Sequence, residues 1–254
     1  MEKRLRQEAA ALLKEGKVDY IVGYEEGSVK FRTTPLITNN EADIERLVIN
    51  PFITNNLSRY LTEIEGKVGI VAKGCDSRSI VSLIQDNKVT RDSVVIIGIA
   101  CPGLVDLKKV EELVDKERDE IEDIQMLGDK VTVSFDGEQR EFALKEVLFD
   151  SCLGCENPTP QECDILLGEK RSSAIDIAVS RGKIEELEKM PVEERWTFWE
   201  REFSKCIRCY ACRNVCPACF CERCFVDISM PRWVSPVPKW QDNLIFQLTR
   251  TIHV

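Results

Sequence analysis

Short apolar runs alternate with helix-period segments along the first half of the chain. Residues 67–72 and residues 93–99 are almost continuously apolar, and a turn and a helix-period segment follow each of them. Continuous apolar runs of this length are typical of strands that are buried on both faces of a parallel sheet. The order strand, helix, strand, helix therefore predicts an α/β fold with a small, mainly parallel sheet.

The N-terminal residues predict one helix and one hairpin. Residues 3–15 have a helical apolar period that ends at Gly16, a residue suited to a helix C-cap. Residues 19–24 are expected to form a strand, and residues 28–31 are expected to pair with it around the turn at residues 26–27.

One short motif occurs twice, as Pro-Leu-Ile-Thr-Asn-Asn at residues 35–40 and as Pro-Phe-Ile-Thr-Asn-Asn at residues 51–56. Each copy precedes a helical segment, so the asparagines are expected to act as helix N-caps. The alternative is that these two polar loops contact a bound cofactor.

A second hairpin is predicted where residues 131–135 and residues 139–142 flank Asp136-Gly137. The acidic residues 109–123 are expected on a solvated helix face. Further helices are predicted at residues 106–118, 183–204 and 241–252.

Composition and charge exclude several classes of function. The chain has 254 residues and a formal net charge of −9, which argues against nucleic acid as the main partner. No apolar run reaches the roughly 18 residues of a membrane span. Residues 1–8 do not lead into the apolar core of a secretory signal, so a cytoplasmic location is expected. Because His253 is the single histidine, histidine-based acid/base chemistry is nearly excluded.

Seven of the twelve cysteines lie in one short segment near the C-terminus. The pattern Cys206-x2-Cys209-x2-Cys212-x3-Cys216-Pro217 is that of bacterial ferredoxins, where three cysteines bind one cluster and the fourth binds another. This predicts a ferredoxin-like segment that binds [4Fe–4S] clusters. Zinc also binds Cys-x2-Cys pairs, usually as two separated pairs, so a structural zinc site is the alternative.

Cys219, Cys221 and Cys224 extend this run. Two clusters need eight ligands, and the run supplies seven cysteines, so its individual ligands stay unassigned. Cys163, a non-cysteine ligand or a partner subunit is the candidate for the eighth ligand, unless the run holds a single cluster.

Four more cysteines are candidate ligands. Cys75 and Cys101 follow the two apolar strands, whose carboxyl ends are expected at one edge of the sheet. With Cys152 and Cys155 they make four thiolates, enough for a third cluster built from separate loops. The Cys152-x2-Cys155 pair alone is also compatible with half of a zinc site or with a redox dithiol.

An ordered set of short motifs between about residue 66 and residue 170 resembles a known family. The set comprises Lys73-Gly74-Cys75-Asp76, the strand that ends in Cys101, Cys152-x2-Cys155 and Cys163-Asp164-Ile165-Leu166-Leu167-Gly168. It is similar to the beta subunits of coenzyme F420-dependent hydrogenases and formate dehydrogenases. The position of the ferredoxin-like run after this core resembles the versions associated with heterodisulfide-reductase-type complexes.

The resemblance implies that electrons pass between iron–sulfur clusters and a flavin, usually FAD. It implies that Cys75, Cys101, Cys152 and Cys155 hold one [4Fe–4S] cluster, which gives two or three clusters in all. By position alone, the candidate flavin-binding residues are Lys73, Asp76 and Arg78; the alternative is that they form an exposed helix start.

Three segments and three functions are therefore considered. The segments are an α/β core at residues 1–182, a cluster-binding segment at residues 183–230, and a proline-rich exit with a helix at residues 231–254. The leading hypothesis is an oxidoreductase subunit that relays electrons to or from a catalytic formate dehydrogenase or hydrogenase subunit, or heterodisulfide-reductase-type subunits. The alternatives are an FAD-containing subunit that exchanges hydride with F420 or another soluble carrier, and a zinc-binding interaction module.

Overall fold

A five-stranded sheet forms the centre of the N-terminal part of the chain. The computed structural model describes residues 1–172 and 177–253, with no side chain described for residues 177–180 and 253. Val254, the last residue of the predicted exit segment, lies outside the described residues. The chain divides into two units, Met1–Arg181 and Gly182–Val254.

The main sheet is built from five strands: β1 (Tyr20–Glu26), β2 (Thr33–Thr38), β3 (Val68–Ala72), β4 (Val94–Ile99) and β8 (Ile165–Leu167). Their order across the sheet is β2-β1-β3-β4-β8. Strands β1, β3, β4 and β8 run parallel to one another, and β2 pairs antiparallel with β1. The mainly parallel α/β sheet predicted from the sequence is therefore confirmed.

The partner of β1 differs from the prediction. Residues 28–31 do not form the second strand, because they belong to the connection between β1 and β2. Phe31 has a φ of 57°, which a strand does not tolerate, and the Gly27 N–H closes the connection by donating to the Arg32 carbonyl at 2.8 Å. The hairpin therefore exists, but its turn is wider than a two-residue turn.

The centre of the sheet is apolar on both faces. Every residue of β3 is buried, and of β4 only Val95 is partly exposed. Helix α1 (Glu2–Lys14) buries Leu5, Ala9 and Leu12, and helix α2 (Gly74–Gln85) buries Ile80 and Leu83. These helices confirm the predictions for residues 3–15 and for the helix-period segment that follows residues 67–72.

A second, three-stranded sheet was missed in part by the sequence analysis. The predicted helix 106–118 is shorter, because α3 (Leu107–Val114) ends at Asp115 in the left-handed conformation with φ 55°. The acidic stretch then continues into β5 (Ile121–Leu127) rather than along a helix. The predicted second hairpin is confirmed as β6 (Lys130–Phe135) and β7 (Glu138–Ala143).

Two short helices connect the small sheet back to the main one. Helix α4 (Leu144–Val147) and helix α5 (Asp150–Leu153) precede strand β8. Asp164 joins β8 to β4, because its carboxylate accepts from the Ile96 N–H at 2.7 Å and pairs with Arg91 at 2.6 Å. Asp164, in the motif at residues 163–168, therefore holds β8 against β4 in this fold.

The C-terminal unit is helical around an irregular cysteine-rich segment. Helix α6 (Ile177–Lys189) begins in the N-terminal unit, and α7 (Val192–Ser204), α8 (Ala211–Val215) and α9 (Trp240–His253) follow. The helix predicted over residues 183–204 is interrupted at Pro191, which serves as the N-cap of α7. No sheet among the described residues supports a ferredoxin-like fold here, so that fold stays a prediction.

Very little apolar surface holds this unit together. Among its described side chains, Val234 and Phe246 are the buried apolar ones. The Phe246 ring contacts Tyr210 and Phe225, and the Trp196 and Trp240 rings pack edge to face at 5.4 Å. A core of this size supplies little stability, so the unit is expected to depend on cross-linking by metal or cofactor.

None of the helices among the described residues is both long and apolar enough to cross a membrane.

A glycine at the start of α2 permits a close approach that any side chain would block. A Cβ atom at Gly74 would lie 1.8 Å from the Asn157 backbone oxygen. We expect Gly74→Ala to lower the free energy of unfolding by about 1–3 kcal/mol, because the loop around Asn157 must move away. The matched control is Gly182→Ala, because no heavy atom lies within 4 Å of the added Cβ. Equal unfolding midpoints for the two variants, measured by circular dichroism, would contradict this expectation.

Candidate metal centres

The carboxyl ends of β3 and β4 place two cysteines at the same edge of the main sheet. The two strands pair in parallel from Val68 with Val94 to Ala72 with Gly98. Cys75 lies in the first turn of α2, three residues after β3, and Cys101 lies two residues after β4. The predicted proximity of these two thiols follows from this register.

Two further cysteines reach the same edge from α5 and the loop that follows it. The Phe149 N–H donates to the Leu104 carbonyl at 3.1 Å, which ties the start of α5 to the segment after β4. The Cys101 N–H donates to the Pro158 carbonyl at 2.8 Å, which ties the loop after Cys155 to the same segment. These contacts hold Cys152 and Cys155 beside Cys101.

Electrostatic interactions show that the four thiols form one group, here called the Cys75 quartet (Cys75, Cys101, Cys152 and Cys155). The Cys75 thiol interacts with those of Cys101 and Cys155, and the Cys101 thiol interacts with those of Cys152 and Cys155. All four are thiols rather than disulfides. The structure thus brings together the four residues that the sequence predicted as one ligand set.

Each of three quartet thiols has a raised pKa. Burial, followed by the Asp76 carboxylate, raises the pKa of Cys75 to about 12, although this residue keeps some access to solvent. Burial raises the pKa of Cys101 to about 11 and also raises the pKa of Cys152. Burial therefore disfavours the thiolate form of these three side chains when no metal is bound. A bound metal would supply the positive charge that thiolates require.

One backbone donor already points at a quartet sulfur. The Gly103 N–H lies 3.4 Å from the Cys101 Sγ atom. Gly103 has a φ of 108°, a conformation that favours glycine, so the loop geometry is specified by its sequence. N–H donors to cysteine sulfur are among the features that tune iron–sulfur sites.

Among the residues that the structure describes, no group of three or more His, Cys, Asp or Glu is arranged to hold a single metal ion.

Cys163 stands apart from the quartet. Its side chain packs over Gly98 of β4, where an added Cβ would lie 2.9 Å from the Cys163 Cβ. Burial and the Asp164 carboxylate raise the pKa of its thiol, and the other charges that act on it come from Lys170 and Glu162. Its predicted role as an eighth ligand in the C-terminal run stays a prediction.

The start of α2 also contains a buried ion pair. The Lys73 Nζ atom lies 2.7 Å from the Asp76 Oδ2 atom, and the two residues are 2% and 1% exposed. Tyr24 joins them: its hydroxyl accepts from Lys73 at 2.5 Å and donates to the Asn55 carbonyl at 2.7 Å. Burial and the neighbouring Asp76 raise the pKa of Tyr24 well above its ordinary value.

The three residues proposed for flavin binding thus have different environments. The alternative of an exposed helix start is wrong for Lys73 and Asp76, because both are buried in this network. Arg78 is exposed on α2. A role in flavin binding stays a prediction for all three residues.

A cleft of about 450 Å³ opens on the N-terminal unit. Its volume is within the range of small-molecule sites. Asn55 lines it and also accepts the Tyr24 hydrogen bond, so the cleft and the buried ion pair share one residue. Aromatic and cationic side chains dominate the remaining wall: Phe31, Phe52, Phe149, Arg32, Lys108 and Arg118.

The repeated Thr-Asn-Asn motif has the structural role expected of it. The Asn40 side chain accepts from the Ala42 N–H, and the Asn56 side chain accepts from the Ser58 N–H, each at the start of a 3₁₀ turn. The N-cap interpretation is therefore confirmed. In the second copy, Thr54 and Asn55 also line the cleft.

In the C-terminal unit, one face of α9 contacts the cysteine run. The Asn243 amide donates to the Cys206 carbonyl at 2.8 Å, and the Gln247 amide lies 3.9 Å from the Cys206 sulfur. Arg250 donates to the Cys212 carbonyl at 3.1 Å. Sequence analysis missed these three residues, although their spacing of four and three places them on one helix face.

Arg250 is surrounded by thiols. Its electrostatic partners are Cys212, Cys216 and Cys219. Burial alone would lower the pKa of this guanidinium, but the hydrogen bond and charge of Cys219 and the other thiols raise it. Burial raises the pKa of the Cys219 thiol, and Arg250 acts against that increase. A second guanidinium, that of Arg213, pairs with Asp227 at 2.8 Å and interacts with Cys224.

Buried polar atoms beside the run fit an anionic group. Arg208 is 8% exposed, and its Nε and Nη2 atoms are buried with no hydrogen-bond partner among the described residues. The Nε atom of Arg250 is in the same state. Buried donors of this kind are rare in proteins unless an acceptor is bound. Cluster sulfurs held by the predicted ligands, which include exposed Cys209 and Cys221, are suitable acceptors.

Comparisons with known proteins agree with the sequence motifs. Residues 65–182 match the family model that describes the C terminus of the beta subunit of coenzyme F420 hydrogenase/dehydrogenase. The chain is 22% identical to the F420-dependent formate dehydrogenase 1 subunit beta of Methanococcus maripaludis, with 96% of this chain and 78% of the relative covered. It is 24% identical to the F420-dependent formate dehydrogenase subunit beta of Methanocaldococcus jannaschii, with the same coverage.

One solved structure is also similar. It is a chain of the F420-reducing [NiFe] hydrogenase complex from Methanosarcina barkeri, with a TM-score of 0.48 and 19% identity. The match covers 61% of this chain and 58% of that chain, less than two thirds of its length. The family resemblance predicted from the motifs is confirmed by the family model and the two formate dehydrogenase subunits.

Proposed function

We propose, from the match of residues 65–182 to the coenzyme F420 hydrogenase/dehydrogenase beta subunits, that this chain is an iron–sulfur electron-transfer subunit of such a redox complex. Its partner would be a catalytic formate dehydrogenase or hydrogenase subunit, with heterodisulfide-reductase-type subunits as a further partner class. We place this complex in the cytoplasm of an anaerobic cell.

The convergence of the Cys75 quartet is the observation that carries the proposal. Three separate segments, the start of α2, the end of β4 and the region of α5, supply thiols that interact with one another. Scattered structural cysteines have no reason to meet in this way, and four thiolates are the ligand set of a [4Fe–4S] cluster. Such a cluster would supply one-electron chemistry when bound.

The surrounding residues perform defined tasks in this function. The β3–β4 register fixes Cys75 and Cys101, and the Gly103 N–H is directed at the Cys101 sulfur. In the C-terminal unit, Arg250 and Arg208 supply positive charge and N–H donors beside the predicted ligands Cys206, Cys209, Cys212, Cys216, Cys219, Cys221 and Cys224.

A single quartet substitution tests the N-terminal centre. We expect Cys101→Ser to remove about four iron atoms per chain, because a neutral hydroxyl is a poor ligand for this cluster. Cys163→Ser is the matched control: this thiol packs over Gly98, apart from the quartet, so the variant should keep the iron of the quartet. Anaerobic iron and sulfide analysis measures both variants. Equal iron contents, or colourless protein that contains zinc, would contradict the assignment.

A second substitution tests the C-terminal run. We expect Cys209→Ser to lose iron and to destabilise Gly182–Val254, because buried apolar contacts in that unit are few. The N-terminal α/β sheet should remain folded, since its core is extensive. Iron analysis and hydrogen exchange of the full chain measure these effects. Unchanged iron content and unchanged protection in the C-terminal unit would refute this assignment.

The cleft favours one further function, that of a flavin-containing subunit that exchanges hydride with a soluble carrier such as F420. Phe31, Phe52 and Phe149 could stack on a flavin ring, and the cations Arg32 and Lys108 could bind its phosphates. An FAD molecule in this cleft would lie beside Asn55, which is bonded to the network next to the Cys75 quartet.

Flavin content separates the two functions. A flavin-containing subunit should release about one flavin per chain on acid treatment of anaerobically purified protein. Lys108→Gln, which removes a cleft cation, should then lower the flavin content, whereas Lys145→Gln on α4 should not. Brown protein without flavin in the wild type would leave the iron–sulfur relay alone.

A further inference from the structure

Lys73 is a buried cation whose hydrogen-bonding capacity is completely used. An ammonium group has three N–H donors. The Lys73 ammonium contacts three oxygens: Asp76 Oδ2 at 2.7 Å, Tyr24 Oη at 2.5 Å and the Asn55 carbonyl at 3.2 Å. No donor remains for the phosphate of a nucleotide or flavin, so any action of Lys73 on a cofactor must come through its charge.

The location of Lys73 directs that charge at the Cys75 quartet. Lys73 is the N-cap of α2 and stands two residues before Cys75. Its positive charge acts on the thiols of Cys75, Cys101 and Cys152. The Asp76 carboxylate lies 3.8 Å from the Cys75 sulfur and acts on that thiol more strongly than Lys73 does, in the opposite sense. At Cys101 and Cys152, Lys73 is the member of the pair that acts. The ion pair therefore carries no net charge, but its positive charge acts on more of the quartet thiols than its negative charge does.

Burial of the ion pair limits the screening of this charge by water at its source, although Cys75 itself is exposed. Lys73 is 2% exposed and Asp76 is 1% exposed, so the charges interact through protein rather than through solvent. The Tyr24 hydroxyl and the Asn55 carbonyl fix the ammonium in place. A fixed buried cation stabilises the form of a neighbouring redox centre that carries more negative charge.

We propose that Lys73, held by Tyr24, Asp76 and Asn55, raises the reduction potential of the cluster held by the Cys75 quartet. The inference rests on the proposed function, since it requires that cluster. Reduction adds one electron, supplied by the partner redox centre, and therefore one negative charge to the cluster. Lys73 favours this step through its field, without a bond to the cluster and without transferring a proton.

The test compares potentials in full-length protein. The signal to follow is the one that Cys75→Ser removes in a redox titration monitored by electron paramagnetic resonance, with dithionite as reductant. We expect Lys73→Met to lower the midpoint potential of this signal by about 59 mV, which corresponds to a change of about tenfold in the equilibrium constant for one-electron reduction. The double variant Lys73→Met/Asp76→Asn should give a smaller decrease, because it removes the opposing carboxylate as well.

Two controls separate charge from structure. Arg78→Gln removes an exposed cation from the same helix, three residues after Cys75, and should shift the potential much less because water screens it. The double variant leaves no lone buried charge, so it should fold and bind iron even where Lys73→Met does not. The midpoint potential is expected to be lowest in Lys73→Met, higher in the double variant, and highest in Arg78→Gln and the wild type.

Each outcome decides the matter. An unchanged or higher potential in the double variant, with its iron content intact, would overturn the role of Lys73, and so would a decrease in Arg78→Gln of equal size. Loss of the cluster from the double variant would show a structural role instead and would also overturn it. If the spectrum of Cys75→Ser contains every signal of the wild-type spectrum, the quartet holds no cluster. In that case the proposed function fails, and the role of the lysine is not what has failed.

Discussion

Parallel pairing of β3 with β4 is the constraint on which the N-terminal centre depends. In a parallel pair, both carboxyl ends lie at one edge, so the residues that follow the strands share a small region. Here the register from Val68–Val94 to Ala72–Gly98 brings Cys75 and Cys101 to that edge. Glycines then permit the close packing: Gly98 accommodates Cys163, and Gly74 accommodates the loop around Asn157. A shift of one residue in the register would separate the thiols.

The two units compensate buried charge in different ways. In the N-terminal unit, a lysine has oxygen partners for all its donors and influences the thiols through space. In the C-terminal unit, Arg208 and Arg250 keep N–H groups that have no partner among the described residues. A guanidinium has five donors in a rigid plane, so it suits direct contact with an anionic group better than an ammonium does. The difference fits an indirect influence in one unit and direct hydrogen bonding in the other.

Asn55 links the cleft to the buried ion pair. Its carbonyl accepts from both Tyr24 and Lys73, while the residue itself lines the cleft. The next residue, Asn56, caps the following 3₁₀ turn and so fixes the backbone at that point. A ligand in the cleft that moved this loop would have to break these two partly buried hydrogen bonds. The same contacts therefore hold both this loop and the lysine.

The sequence predicted elements whose signals are local, and it missed contacts that depend on tertiary packing. Continuous apolar runs were sufficient to predict β3 and β4, and Asp136-Gly137, with φ values of 51° and 74°, was sufficient for the second hairpin. The strand β5 was missed because Glu122 and Asp123 face solvent between the buried Ile121 and Ile124, so its acidic composition resembled that of a helix surface.

The α9 face shows a different limit of sequence analysis. Asn243, Gln247 and Arg250 are polar residues on an amphipathic helix, and polar residues on such a helix normally face water. Here the exposed side chains include the apolar Ile245, Leu248 and Ile252, while Asn243 is 1% exposed. Asn243 donates to two backbone carbonyls: that of Phe203 in the last turn of α7, which also accepts from the Cys206 N–H at 3.2 Å, and that of Cys206 in the irregular cysteine run. A polar face turns inward when the segment that it covers is irregular, because the buried carbonyls of that segment need donors.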